Sequence, residues 1–153
     1  MLDRFDAKIL RELQKDSHIA VAELAERIGL STSACHRRVK LLEGAGVIDG
    51  YSARVNPKAL GLDLVVFVDI TLTSQSREAM TAFEEAVQLY DEILECVLTT
   101  GTADYLLRIA AKDVADYDNI HRNCLARLPG VSGMQTSFSL RSIKPWRGYP
   151  VPG

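Results

Sequence analysis

A short basic cluster is the first group of residues in this sequence whose types suggest chemistry. His36, Arg37, Arg38 and Lys40 stand together, and no acidic residue follows until Glu43. Guanidinium groups can donate paired hydrogen bonds to a phosphate or to the O6 and N7 atoms of guanine. The cluster is therefore a candidate contact for nucleic acid, although a run this short is also typical of a solvated helix face.

His121 and Cys124 form a second candidate pair, because residues three apart can touch on one helix face. A nucleophile with its base also needs an orienting group and an oxyanion site, and the sequence indicates neither. Cys124 falls on an apolar stripe, which favours a buried structural thiol. The sequence contains no phosphate-binding glycine loop and no paired-carboxylate motif. We therefore expect no enzyme activity, no catalytic residue, no metal and no cofactor.

The composition is that of an ordinary globular protein, with 153 residues of which 47% are hydrophobic and 25% charged. No apolar run approaches the roughly 18 residues that a bilayer span needs, and the N-terminus is charged from its third residue, unlike a signal peptide. The three cysteines are too widely spaced for a disulfide framework or a zinc site. These features predict a cytoplasmic protein. The basic residues slightly outnumber the acidic ones only in residues 1–60, ten against eight.

Three short helices are predicted to position the basic cluster. The first follows a cap at Asp3, the second ends at Gly29, and the third begins after the cap Ser31. The second helix begins after Ala20, which has no side-chain oxygen for capping. Each helix has an apolar stripe at helical spacing. The stripes are Phe5, Ile9, Leu10 and Leu13, then Val21, Leu24, Ala25 and Ile28, then Cys35, Val39 and Leu42.

The second and third helices are joined by a tight glycine turn, and the third is basic on the face opposite its apolar stripe. That arrangement is typical of a helix-turn-helix, whose second helix enters the major groove of DNA. Hydroxyls and free N–H groups at the start of this helix favour phosphate. The residues predicted to contact DNA are Ser31, Thr32, Ser33, His36, Arg37, Arg38 and Lys40. The alternative is a three-helix bundle with a solvated basic face.

The second half of the sequence predicts the order β-α-β-β-α-β. Strands are expected over 64–72, 93–100, 105–110 and 131–144, with helices over 77–90 and about 113–128. The predicted fold class is α+β, with an N-terminal winged-helix-like helix-turn-helix domain (1–46), a linker (47–60) and a C-terminal ferredoxin-like domain (61–153). A sheet covered by helices on only one face tends to find a partner for the other face. Within the linker, Asp49 and Gly50 could form a hairpin wing, or the segment could be one linking strand.

Stretches distributed over essentially the whole chain share one family's pattern. They are residues 2–6, 9–16, 28–31, 37–42, 46–51, 66–72, 101–107 and 128–131. In these stretches the sequence resembles the leucine-responsive regulatory protein/AsnC family, also called feast/famine regulators. The tail from Pro145 to Pro150 is not a general feature of that family.

The resemblance implies a sequence-specific transcriptional regulator of double-stranded DNA with a small effector, typically an amino acid. It implies a linker strand that pairs within a dimer. It also implies dimers that form through these sheets and often assemble further into octameric rings. It also places the effector at the β2–β3 loop and the last strand, on Gly101, Thr102, Ala103, Asp104, Tyr105, Thr136 and Ser137. Asp104 could accept the α-ammonium group, or it could only stabilise the hairpin turn. Two alternative functions are an architectural DNA-binding protein without a ligand and a small α/β enzyme.

Overall fold

The computed structural model describes residues 2–152, which divide by their contacts into two compact units. The N-terminal unit combines the chain up to Arg54 with the segment from Ile143 onward, and the C-terminal unit is Val55–Ser142. The boundaries predicted from the sequence place this last segment with the C-terminal domain. Its contacts instead join it to the first helix, which no local sequence pattern announces.

The N-terminal unit contains α1 (Arg4–Lys15), α2 (Val21–Ile28) and α3 (Thr32–Gly44). Asp3 caps α1 in a capping box with Asp6, in which each carboxylate accepts a backbone N–H of the other residue. Gly29 ends α2 with a φ of 77°, a left-handed conformation that glycine adopts without steric cost. Ser31 caps α3 by accepting a hydrogen bond from the backbone N–H of Ala34. As predicted, Ala20 provides α2 with no side-chain cap.

The core of this unit forms where the apolar stripes of the three helices meet, as the helical spacing predicted. Its buried residues are Ile9, Leu24, Ala25, Ile28, Cys35, Val39 and Leu42. Packing of α2 against α1 and α3 offsets the missing cap at Ala20, because the stability of short helices in proteins comes mainly from tertiary contacts.

The predicted linker contains no strand in the single chain. Residues 49–56 form neither helix nor strand, so the structure contains neither a hairpin wing nor an intrachain pairing of this segment. A 3₁₀ turn over Pro57–Leu60 follows, and the Asn56 side chain accepts a hydrogen bond from the backbone N–H of Lys58.

The C-terminal unit has the predicted βαββαβ order. Its elements are β1 (Leu64–Leu72), α4 (Arg77–Val87), β2 (Ile93–Leu98), β3 (Tyr105–Ala111), α5 (Val114–Asn123) and β4 (Val131–Phe138). The strands form one antiparallel sheet in the order β2-β3-β1-β4, which confirms the ferredoxin-like arrangement. The last strand ends at Phe138 rather than at residue 144. Ser139 still donates a backbone hydrogen bond to Val65, but β1 begins at Leu64 and extends no further along the tail.

One face of the sheet forms the core of the C-terminal unit and the other is open. On β1, Val66, Val68 and Ile70 are fully buried on the core face, whereas Phe67 is 37% exposed on the other. Phe83 and Tyr117 from the two helices are buried in the same core. No helix within residues 2–152 is both long and apolar enough to cross a membrane.

Candidate functional site

The outer face of α3 carries nearly all of the residues predicted to contact DNA. Six of them are exposed, namely Ser31, Thr32, Ser33, His36, Arg37 and Lys40. The first three lie at the N-terminal end of the helix, where free backbone N–H groups and the helix dipole attract phosphate. Cys35, Val39 and Leu42 face inward, so the core fixes which side of α3 the basic residues occupy.

Arg38 differs from its neighbours because its guanidinium group is held inside the unit. Its Nη1 lies 2.7 Å from Asp3 Oδ2 and 2.8 Å from Asp6 Oδ1, and its side chain is only 24% exposed. The guanidinium carbon also lies 5.4 Å from the ring centroid of Phe5. Hydrogen bonds to Asp6 and Asp3 raise the pKa of Arg38 above its usual value. Arg38 thereby ties α3 to the capped start of α1.

The two other cations of α3 have different surroundings. The Lys40 ammonium group lies 2.7 Å from Glu43 Oε2, and the Tyr51 hydroxyl donates a hydrogen bond to the other oxygen of the same carboxylate. These contacts, Lys40 first, lower the pKa of Glu43. Arg37 makes no ion pair with any residue from 2 to 152, so its guanidinium group is the one on this face that remains available for an outside anion.

A second arginine fixes α2 against α1. Arg27 Nη1 lies 2.9 Å from Glu12 Oε2 on α1, and Arg27 Nη2 lies 2.6 Å from Glu23 Oε1 on its own helix. Hydrogen bonds from Lys15 and then Arg27 lower the pKa of Glu12. Each neighbour of α1 is therefore connected to it by an arginine in addition to the apolar core.

A cavity of about 510 Å³ lies on the C-terminal unit, at the end of the sheet where the β2–β3 loop meets β1 and β4. Its volume falls within the usual range for small-molecule sites, about 300–1,000 Å³. The lining residues are Asp69, Thr71, Thr99, Thr100, Thr102, Ala103, Leu106, Gly133, Met134 and Gln135. They combine one carboxylate, several hydroxyls and an amide with a few apolar groups, which suits a small polar ligand with an apolar part.

Of the predicted loop residues, the structure brings only Thr102 and Ala103 to the cavity wall. The Asp104 carboxylate accepts a hydrogen bond from the backbone N–H of Leu72 at 2.7 Å and one from the Gln75 amide, so it holds the loop against the end of β1. Gly101, which does not line the cavity, has a φ of 123° that permits the turn between β2 and β3.

The remaining predicted residues of this site lie away from the cavity. Tyr105 is buried in the core, where its hydroxyl donates a hydrogen bond to Glu84. The Thr136 hydroxyl hydrogen-bonds that of Tyr117 on α5, so Thr136 is on the helix-covered face. Ser137 is exposed on the open face opposite Phe67 of β1, outside the cavity lining.

Asp69, the carboxylate that lines the cavity, was not identified from the sequence. Asp69 is the one charged residue of β1, and it pairs with Gln135 of β4 on the open face. A lone carboxylate at the position where strand alternation points away from the core is a signal for a site. The residues that lie beside Asp69 are Leu106 of β3 and Gln135 of β4. They are set by the register of the sheet, which the sequence pattern did not specify.

Cys124 and His121, the pair considered for nucleophilic chemistry, have separate surroundings in the structure. Cys124 is buried at the end of α5, and burial raises its pKa to about 11, so it is a protonated thiol at neutral pH. His121 packs edge-on against the ring of Tyr117. In the described part of the chain, no three His, Cys, Asp or Glu side chains come close enough together to hold a metal ion.

Comparison with known proteins agrees with both parts of this architecture. Residues 2–49 match the profile of a winged helix-turn-helix DNA-binding family, and residues 65–149 match that of the Lrp/AsnC ligand binding domain. The leucine-responsive regulatory protein of Escherichia coli K12 is 43% identical over 143 residues, which cover 94% of this chain and 87% of the relative.

Solved structures of family members share the fold. An AsnC family transcriptional regulator from Agrobacterium tumefaciens superimposes with a TM-score of 0.92 at 38% identity, covering 97% of both chains. A transcriptional regulator from Neisseria meningitidis, solved in complex with L-methionine, gives a TM-score of 0.90 at 35% identity and covers 95% of this chain and 94% of its own. The chain belongs to the Lrp/AsnC family of transcriptional regulators, with a helix-turn-helix DNA-binding domain and a ligand-binding domain.

Proposed function

We propose that this protein is a cytoplasmic regulator, not an enzyme, that reads double-stranded DNA with the exposed face of α3 and responds to a free amino acid. The main observation in support of DNA binding by α3 is the contrast between two adjacent arginines. Arg37 is exposed and without an ion pair among residues 2–152, while Arg38 is bound to two carboxylates. Arg37 therefore contacts a base edge or a phosphate, and Arg38 positions the helix that carries it.

The neighbours of Arg37 supply the contacts to the DNA backbone. Ser31, Thr32 and Ser33 present hydroxyls and backbone N–H groups at the start of α3, where phosphate oxygens are favoured acceptors. Lys40 reaches a phosphate by exchanging its half-buried partner Glu43 for the DNA, since an ion pair made by a largely exposed lysine is weak.

DNA binding is tested by titration in salt, using a duplex selected with the wild-type protein from random oligonucleotides. The affinity of a regulator falls steeply as salt is added, because each neutralised phosphate releases counterions. Lys40→Ala should weaken all sequences alike and reduce the magnitude of the salt slope by about one. If no duplex is enriched and affinity does not depend on salt, the DNA-binding role is wrong.

The cavity on the open sheet face supports an amino acid as the effector. Asp69 can accept the α-ammonium group in a charge-assisted hydrogen bond, while the hydroxyls of Thr71 and Thr102 can donate to the α-carboxylate. Leu106 offers an apolar wall for the ligand side chain. The relative from Neisseria meningitidis that binds L-methionine supports the same ligand class for this chain. Asp69 is a better ammonium acceptor than Asp104, whose carboxylate already accepts the Leu72 N–H.

The effector proposal is tested by a thermal-shift screen against the twenty amino acids, followed by two matched variants. A ligand at a hundredfold excess over its Kd stabilises the folded state by about 2.7 kcal/mol. Asp69→Asn should abolish the shift, because a neutral amide loses the charge that pairs with the ammonium group. Asp104→Asn should keep it, because the new amide oxygen can still accept from Leu72. A thermal shift that is kept in Asp69→Asn and lost in Asp104→Asn would mean that Asp104 binds the ammonium group. No thermal shift with any amino acid would favour an architectural protein without a ligand.

The open sheet face also supports self-association into dimers, with assembly of dimers into octamers. Phe67 on β1 is 37% exposed and Val97 on β2 is 40% exposed. Both lie on the sheet face that no helix within residues 2–152 covers, on the two strands that flank β3. A second copy would bury both, and a dimer would present two recognition helices to half-sites one helical turn or a multiple of it apart. Light scattering tests this, and a stable monomer at micromolar concentration would refute it.

A further inference from the structure

The C-terminal tail, residues 143–152, is docked on the first helix of the DNA-binding unit. The Gln14 side chain pairs with the backbone of Tyr149 in both directions. Its Nε2 donates to the Tyr149 carbonyl at 3.0 Å, and its Oε1 accepts from the Tyr149 N–H at 2.6 Å. The Arg11 guanidinium donates to the Val151 carbonyl at 2.8 Å. The tail is thus held through its backbone by two side chains of α1.

The composition of the tail suits a docked segment rather than a random coil. Pro145, Pro150 and Pro152 restrict the backbone, which lowers the entropy that docking costs. The rings of Trp146 and Tyr149 pack edge to face with centroids 5.6 Å apart, although both are largely exposed.

Docking of the tail changes how the two units of the chain are connected. Without it, the chain passes once between them, near Arg54. With it, the chain passes a second time near Ser142, because the tail belongs by its contacts to the DNA-binding unit. The second connection follows directly from β4, whose Gly133 and Gln135 line the cavity. The same strand therefore borders the ligand cavity and leads to the segment that binds α1.

We propose that the tail is a strap that restricts the orientation of the DNA-binding unit and so favours binding to correctly spaced paired half-sites. A unit held by one flexible connection samples many orientations and loses this freedom on binding, whereas a strapped unit has lost part of it beforehand. The inference rests on the DNA-binding role and adds to it a second covalent path from the cavity strand. It assigns to Gln14 a positioning role, with no contact to DNA.

Trp146 provides a direct measurement of docking, because it is the only tryptophan of the sequence. In the wild-type chain, Trp146 fluorescence anisotropy should lie well above that of a free peptide of residues 143–153. Gln14→Ala removes both hydrogen bonds to Tyr149 at a half-buried helix position, and anisotropy should fall towards the peptide value. Gln88→Ala, the same change at an exposed glutamine after α4, should leave it unchanged.

DNA affinity supplies the second readout, with a duplex carrying two half-sites and a matched duplex in which their spacing is changed by half a helical turn. Gln14→Ala and a chain ending at Ser142 should bind the correctly spaced duplex roughly 3- to 10-fold more weakly, since the substitution removes two neutral hydrogen bonds of the strap and the truncation removes the strap itself. Affinity for the misspaced duplex should change little, and circular dichroism should show the fold intact.

Two results would overturn the strap. Wild-type anisotropy equal to that of the free peptide would mean that the tail is not docked. Reduced anisotropy in Gln14→Ala with unchanged discrimination between the two duplexes would mean that docking has no bearing on DNA binding. If the wild-type protein binds neither duplex, the DNA-binding role itself fails, and the anisotropy comparison still decides whether the tail docks.

Discussion

Replacing Arg38 and Arg37 one at a time by alanine should separate folding stability from DNA contact. Arg38→Ala removes the ion pair with Asp6, whose side chain is only 18% exposed, and the contact with the ring of Phe5. An ion pair of this kind contributes about 0.2–1 kcal/mol and a cation–π contact about 0.5–1 kcal/mol, so we expect the free energy of unfolding to fall by about 1–2 kcal/mol. The exposed pair with Asp3 adds little to that sum.

Arg37→Ala should have the opposite profile. Its side chain is exposed and makes no ion pair within residues 2–152, so the free energy of unfolding should change by less than about 0.5 kcal/mol. If Arg37 makes a bidentate base contact, its loss should cost about 1–3 kcal/mol of binding, or roughly 5- to 150-fold in affinity, for the selected duplex.

Urea unfolding followed by circular dichroism measures the first quantity, and fluorescence-anisotropy titration of a labelled duplex measures the second. Both variants should be titrated without urea and well below their unfolding temperatures, where they are fully folded. A loss of affinity then reports a lost contact and not an unfolded fraction of the protein. An Arg38→Ala protein as stable as the wild type, with base-specific affinity reduced as much as in Arg37→Ala, would refute the division of roles. Unchanged affinity in the double variant would remove the assignment of α3 as the recognition helix.

Three further predictions concern the cap of α1, the open sheet face and the cysteines. Hydrogen bonds from the Asp6 backbone N–H and from Arg38 lower the pKa of Asp3 below its usual 3.8, so the stability that ionised Asp3 gives is present above that value and is lost as pH falls below it. Acid unfolding followed by circular dichroism should show this loss, and Asp3→Asn should reduce it. Phe67→Lys should shift light-scattering mass towards the monomer without changing the circular dichroism spectrum. In the native protein iodoacetamide should alkylate half-buried Cys96 before buried Cys124, and mass spectrometry of digests would detect the opposite order.

Local patterns in the sequence determined the helices and strands of this protein and the faces that they bury. The caps at Asp3 and Ser31, the stop at Gly29 and the inward stripe of Cys35, Val39 and Leu42 are all present as predicted. Each depends on steps of at most four positions along the chain, where helix geometry alone decides which side chains meet. The βαββαβ order followed in the same way from alternation and turn residues.

Tertiary structure decided which polar side chains form hydrogen bonds or ion pairs within the chain and which are left to bind another molecule. Arg38 and Arg37 are equivalent by type and adjacent in sequence, but only Arg38 meets Asp3 and Asp6 across the helix packing. Likewise, the carboxylate of Asp104 is taken by an N–H of β1 that is 32 residues away, a contact that the strand register creates. A local period of 3.6 or 2 residues specifies a face, whereas the partner on that face depends on how distant elements pack and pair. Gln14 and the tail, 135 residues apart in the chain, meet for the same reason.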